Sequence, residues 1–323
     1  MENTIFIKEE ELQKLEEALS SELGKVFASG DKIAVKLHMG EKGNKYYLKP
    51  ELVKRVISVM KKLGLKPFLF DSPVKYNSMR HTVEGYEQCA KEHGFTEKNV
   101  DCDVIISNEA FPVEINEVTY EVCKPLVEAD GVLVLSHVKG HFCSGFGAAI
   151  KNLGMGAMTK ESKGDIHEGG EPKLVGKCVL CKECAKVCPT DNVRYDEEGV
   201  HFDKSWCCGC SNCTYACKYD AIKPKVKPFD TMLAEGAYAA LKNFKKSYFI
   251  NVLRDIAEKC DCASDAGEVL IDDIGIVLSN NIIDIEKASH ELIVEKAGKD
   301  LFKEVHHKSP MVHIKEMELC IKK

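Results

Sequence analysis

The 323-residue chain has no run of about 18 apolar residues, so nothing in it reads as a membrane-spanning helix. A basic excess is missing too. The 45 Lys and Arg stand against 51 Asp and Glu, a net charge of −6, which argues against a dedicated nucleic-acid binder. The stretch Met1 to Glu11 lacks a basic segment followed by an apolar one, so no secretory signal is expected and the expected compartment is the cytoplasm. Neither G-x-G-x-x-G nor the P-loop pattern occurs, which leaves no nicotinamide or flavin fingerprint to read. Disorder is excluded by composition, with 44% hydrophobic and 30% charged residues. The length suggests about two domains.

Cysteine is what the chain has in excess, with 16 in all. Without a signal segment, such a number points to metal or redox chemistry instead of a disulfide framework. Eight of them form two runs of one spacing. Cys178-x2-Cys181-x2-Cys184-x3-Cys188-Pro189 is the first, and Cys207-x2-Cys210-x2-Cys213-x3-Cys217 the second. This is the spacing of bacterial two-cluster ferredoxins, in which three cysteines of a run wrap one cubane and the fourth reaches the other cluster. The ligand sets expected are Cys178, Cys181, Cys184 and Cys217 for one 4Fe–4S cluster, and Cys207, Cys210, Cys213 and Cys188 for the other. A pair of zinc sites, commonly built from two separated Cys-x2-Cys pairs, fits these runs poorly. The stretch 175–225 resembles the two-cluster ferredoxin family, with Lys218 where a proline often follows the last cysteine. Cys208 is out of register for a ligand. Cys89, Cys102, Cys123, Cys143 and Cys320 show no spacing and read as structural thiols.

Around this block, strand and helix patterns alternate. Strands are expected over Lys32–His38, Leu65–Phe70, near 103–107 and 118–122, and over Gly131–Val138, Ser247–Leu253 and Glu268–Leu278. Helices are expected over 9–27, behind Pro50 to Leu63, over about 80–93, and over Gly145–Leu153, Thr231–Lys242 and Ile283–Gly298. The fold class expected is α/β, a largely parallel sheet domain with an inserted α+β two-cluster ferredoxin-like module. The expected division is 1–173 as the first part of the α/β domain, 174–225 as the insert, and 226–323 as the domain's C-terminal part.

Ligands in such sheets sit at the carboxyl ends of strands. The residues expected there as catalytic are Lys36, His38, Lys139 and His141, groups able to bind a carboxylate, transfer protons or ligate a metal. His137 lies among them. The glycine-rich segment after Gly131–Val138 is expected to bind a phosphate, carboxylate or cofactor through Ser144, Gly145, Gly147, Lys151 and Asn152, at the start of its helix. A tight strand–helix turn is the plainer alternative. Cys260-Asp261-Cys262 reads either as two ordinary buried thiols or as a metal-ligand or redox pair. The acidic and basic runs at Glu9–Glu11, Lys61-Lys62 and Lys322-Lys323 read as solvated surface.

The segments KLHMGEKGN at 36–44, SHVKGHFCSGFGAAIKNLGMG at 136–156, CDC at 260–262 and DDIGIVLSNNIIDIEKAS at 272–289, together with the cysteine block, resemble the iron–sulfur center proteins of domain-of-unknown-function family 362. The resemblance covers nearly the whole chain. It implies an α/β domain carrying a two-cluster ferredoxin, common in anaerobes, and no established substrate. Three functions remain open on the residues. One is a redox enzyme, an oxidoreductase whose clusters feed a cleft in the α/β domain. Another is an electron-transfer subunit that docks on a partner enzyme. The third is a cluster carrier or maturation factor. The partner is accordingly a redox protein or a small-molecule substrate.

Overall fold

The computed structural model describes residues 4–197 and 199–322. Seven strands form the central sheet: β1 (Thr4–Lys8), β2 (Lys32–Lys36), β3 (Lys66–Asp71), β4 (Asp103–Ile106), β5 (Gly131–His137), β6 (Ser247–Leu253) and β7 (Gly275–Ser279). Their spatial order is β1-β7-β6-β5-β2-β3-β4. From β4 across to β6 every pairing is parallel, and β7 runs antiparallel to both neighbours. The order reverses between β2 and β5. β2 leads outward to β3 and β4, and β5 leads the other way to β6, which opens a crevice at the carboxyl ends of the two central strands.

The strands are buried on both faces because helices cover both. Alternate side chains divide between two cores. Ile33, Val35, Leu133 and Leu135 face α1 (Leu15–Val26), α2 (Pro50–Lys62) and α3 (Val83–Glu92). Ala34, Val132 and Val134 face α4 (Ala149–Gly154), α6 (Phe229–Leu241), α7 (Ile282–Ala297) and α8 (Met311–Ile321). Between α4 and α6 lies α5 (Lys160–Gly169).

Residues 172–224 leave and return through a two-stranded ribbon in which Pro172–Leu174 pairs with Ile222–Pro224. Between them lie a second ribbon, Val193–Asp196 with Gly199–Phe202, and two short helices, Glu183–Lys186 and Asn212–Ala216. Strands β6 and β7, which follow this excursion, join the sheet that the earlier residues begin.

Several elements differ from the sequence reading. The helix expected from Gly145 starts only at Ala149. Gly145–Gly147 instead pairs back on Lys139–His141 as a small hairpin, because Gly145 takes a positive φ of 79° against the Lys308 and Pro310 backbone. The single strand expected over 268–278 is two. Val269–Ile271 pairs with Ile256–Ala257 outside the main sheet, and β7 begins at Gly275. The helix expected over 9–27 opens as a 3-10 turn over Glu9–Lys14. β1 and the helices past residue 300 had no counterpart in the reading.

Candidate functional site

A cavity of about 130 Å³ lies at the carboxyl ends of β2, β3 and β5, at the crevice where the strand order reverses. Lys36 ends β2, Asp71 ends β3, and Ser136 and His137 end β5. The Asn152 side chain ties the crevice together. Its amide donates to Lys36 O, Leu135 O and Ser136 Oγ at 3.2, 3.1 and 3.0 Å, and its oxygen accepts from Lys36 Nζ at 2.8 Å. Gly156 is required opposite, since a Cβ there would strike the Lys36 side chain and the Asn152 carbonyl.

The cavity walls are charged and largely buried. Lys36 Nζ pairs with Asp71 Oδ1 at 2.9 Å, both side chains at most 3% exposed, and Tyr86 donates its hydroxyl to the other Asp71 oxygen. Arg80 is held by Glu41 at 2.9 Å and donates to His38 Nε2, also at 2.9 Å. Burial and then the Arg80 charge hold His38 well below the ordinary histidine range, so the ring is neutral. Lys163 donates to Ser72 O, Ser72 Oγ and Pro73 O, with no carboxylate in salt-bridge reach among the described residues. Burial pushes it down to about 8. Lys151, also pushed down to about 8 by burial, lies 3.3 Å from Cys260 Sγ and 3.9 Å from Cys262 Sγ. Burial acts to raise Asp261, but its partners His137, then Lys139 and Lys151, hold it below the usual carboxylate range. Such a set of cations around a small cavity suits an anionic ligand.

The expected catalytic residues divide. Lys36, His38 and His141 line the cavity. Lys139 does not. It is fully buried behind the wall, donating to Tyr46 O at 2.6 Å and facing Asp261 at 3.7 Å. Of the expected binding residues, Gly147, Lys151 and Asn152 line the cavity, whereas Ser144 and Gly145 do not. Ser144 acts one step back, its Oγ 3.0 Å from His141 Nδ1. The amide at the start of α4 that the sequence reading offers to an anion is already taken, since Ile150 N donates to Glu286 Oε1 at 2.9 Å.

The two cysteine runs assemble as two groups. Cys178, Cys181, Cys184 and Cys217 line one small cavity with Tyr195, Tyr219 and Ile222. Cys207, Cys210 and Cys188 surround Cys213, whose thiol is pushed up to about 12, by burial first and then by those neighbours. Each group draws three cysteines from one run and the fourth from the other, and an all-thiol donor set of four fits a cubane. The second group abuts the main cavity. His167, in its wall, shares a 2.7 Å hydrogen bond with Cys208 O, and the Cys143 thiol donates to the same oxygen. Lys308 clamps the junction, donating to Cys143 O, Cys210 O and Asp230. Gly209 lies so close on His167 that a Cβ there would overlap its carbonyl.

The sequence profile described as Domain of unknown function (DUF362) matches residues 33–291. The chain belongs to this family. Part of this DUF362 chain is 38% identical over 53 residues to the electron transport protein HydN of Escherichia coli K12, a match covering 16% of the chain and 30% of HydN. Another match, 35% over 63 residues, is to the hydrogenase-2 operon protein HybA of Escherichia coli O157:H7, covering 18% of the chain and 19% of HybA. The chain thus spans less than a third of the curated relatives it matches. A Thermotoga maritima protein of solved structure superposes with a TM-score of 0.51 at 12% identity, over 89% of this chain and 59% of that one, a likeness of fold alone.

In this DUF362 chain the sequence reading passed over Glu41, Arg80, Lys163 and His167. Glu41 sits inside the KLHMGEKGN segment without a role readable from it, Arg80 lies in no motif, and His167 and Lys163 come from α5, far along the chain from the strand ends. Asp71 carried a signal, as the polar end of an apolar strand, but no partner for it was readable.

Proposed function

We propose that this protein is an iron–sulfur redox protein whose cysteine-rich module carries electrons through two 4Fe–4S clusters to the cavity at the strand ends. There they would be used on a small anionic molecule. Cys178, Cys181, Cys184 and Cys217 would hold the outer cluster, and Cys207, Cys210, Cys213 and Cys188 the inner one. The clusters supply one-electron steps at low potential. The chain's own residues do the rest. Lys36, Lys163 and Arg80 attract the anion, Asn152 and Asp71 fix Lys36, and neutral His38 is placed to exchange protons with it.

The observation that carries this reading is the junction of the inner cysteine group with the cavity wall at His167, whose ring shares a hydrogen bond with Cys208 O, backed by the Cys143 thiol on the same oxygen. A carrier with no use for the cavity does not need its inner cluster there. The electron-transport and hydrogenase-operon names of the partial relatives agree with a redox role.

The test is iron and acid-labile sulfide per chain, with electron paramagnetic resonance, on protein purified without oxygen. About eight irons are expected, with a loss of about four in Cys210→Ser and in Cys181→Ser. Zinc in place of iron, or iron unaffected by either substitution, overturns the reading.

A second reading, an electron-transfer subunit docking on a partner enzyme, is favoured by the module's surface. Val179, Leu180 and Tyr219 are exposed beside the outer cysteine group, and Trp206 is 72% exposed on the same module. It predicts that phosphate, sulfate and small carboxylates leave the melting temperature unchanged, whereas cavity binding raises it.

A further inference from the structure

Cys260 and Cys262 belong to neither cysteine run, yet they border the cavity at the side facing His141. Their sulfurs are in contact, closed as a disulfide in the structure. One ring nitrogen of His141 lies with both sulfurs inside a 4.8 Å span. No other group of three described His, Cys, Asp or Glu residues converges in this way.

The histidine ring is anchored through Nδ1. Ser144 Oγ lies 3.0 Å from His141 Nδ1 and donates to Phe146 O at 2.7 Å, and the Cys143 backbone amide donates to the same Nδ1 at 3.3 Å. Nδ1 is thus met from two sides, and the hydrogen bonds of the described residues leave Nε2 as the ring nitrogen available to a ligand. The sulfurs have a partner as well. Lys151 Nζ donates to Cys260 Sγ at 3.3 Å and reaches Cys262 Sγ at 3.9 Å, which favours thiolates over thiols. Two thiolates and a divalent ion sum to zero, so metal binding leaves the Lys151 charge facing Asp261 as before.

We propose that His141, Cys260 and Cys262, in the reduced chain, bind one borderline divalent metal ion of the zinc class. Two sulfurs, one nitrogen and a fourth position open to the cavity form the donor set of a catalytic site, not of a closed structural one. Reducing the disulfide takes two electrons from an added phosphine and two protons from water, whose oxygen ends on the phosphorus as the phosphine oxide. The two protons leave again as the thiolates take up the metal. The site does not depend on the iron–sulfur reading, since it uses none of the eight cysteines of the two runs.

The test uses the full chain, prepared without oxygen, reduced with a phosphine, given an excess of Zn2+ and desalted. Zinc and iron are then counted separately per chain. One retained zinc is expected, with two sulfur and one nitrogen neighbours by zinc X-ray absorption. The zinc is lost in Cys260→Ser/Cys262→Ser and weakened at least tenfold in His141→Ala, while iron stays at the wild-type value. The proposal is overturned if the reduced chain retains no zinc or if the variants retain it as the wild type does. It is also overturned if alkylation and mass measurement find Cys260 and Cys262 still joined after reduction. A variant that also loses its iron is replaced by Cys262→Ser alone, at the less buried of the two positions, with the same zinc count deciding.

Discussion

The cysteine-rich segment 172–224 and the parallel-sheet body are held together by different physics. The body buries both faces of a seven-stranded sheet under helices, in two extensive cores. The segment's own core contains Cys184, Val193, Val200 and Ile222 as its fully buried members, with cysteines filling much of the rest. Its strands are three or four residues long, in two-stranded ribbons that are marginal alone. Eight of the fourteen large apolar side chains exposed among the described residues lie in 174–226. The body is stable through packing. On the proposed iron–sulfur reading, the segment is a scaffold whose folding energy would come in large part from what its thiols bind.

The sharpest way to break this comparison is to remove the metal. Chelating the iron under mild oxidation is expected to abolish the segment's structure and leave the body folded. Limited proteolysis should then cut within 174–223, while the main melting transition stays where it was. Collapse of the body as well would show that the segment is part of the body's core and not a scaffold laid on it.

Inside the body, the comparison runs between buried and exposed charge. Lys36→Ala strands Asp71 in the crevice and removes the Nζ donor to Asn152, at an expected cost of about 3–5 kcal/mol. Lys61→Ala breaks a similar 2.9 Å pair with Asp101, but there both partners are more than 40% exposed, and the cost is expected below about 1 kcal/mol. Urea midpoints of the two variants decide it. Equal values would mean that the crevice is wet and its ion pair ordinary.

Lys163 tests the same burial through pH. Its folded value, about 8, lies below the 10.5 it has when free. Between these values the unfolded chain holds a proton that the folded one has released, so this group makes stability rise with pH across that window. Below pH 8 the buried charge acts against folding in full. Lys163→Met deletes the slope, so the variant's stability relative to wild type should be greater at pH 7 than at pH 10.5, by about 2–3 kcal/mol. A difference independent of pH would place Lys163 in contact with water.

How far the sequence revealed this arrangement follows from how local each cause is. The two cysteine groups need only the i, i+3, i+6 spacing and a fourth residue carried across, so their membership could be read directly. The interiors of the runs Lys32–Lys36, Leu65–Phe70 and Gly131–His137 are largely apolar, so the largely parallel sheet was legible, and with it Lys36 and His141 as residues near its carboxyl edge. The hairpin at Gly145–Gly147 was not legible. It forms because Lys139–His141 offers a partner and Lys308–Pro310 closes over it, contacts that no window of sequence contains. The ion pairs Lys36–Asp71 and Arg80–Glu41 join residues 35 and 39 positions apart, and only the crossing order of the strands brings them together. β1 escaped because five residues with one fully buried side chain carry little pattern. It is an edge strand defined by its pairing with β7.

The smallest expected effect concerns the segment's outer surface. Trp206 is the chain's one tryptophan and is 72% exposed. A side chain so little buried contributes almost nothing to folding through area removed from water. Trp206→Ser should therefore shift the melting temperature of the iron-loaded protein by an amount equivalent to less than about 0.5 kcal/mol, with iron content unchanged. A shift well beyond that, or lost iron, would mean that the indole packs on the scaffold and shields the inner cysteine group, since Cys207 is its chain neighbour. The comparison would then need revising, because apolar packing as well as thiol ligation would be holding the segment. If the stability stays put, the exposed indole is surplus to folding, and its place beside a redox module is best accounted for by contact with another molecule.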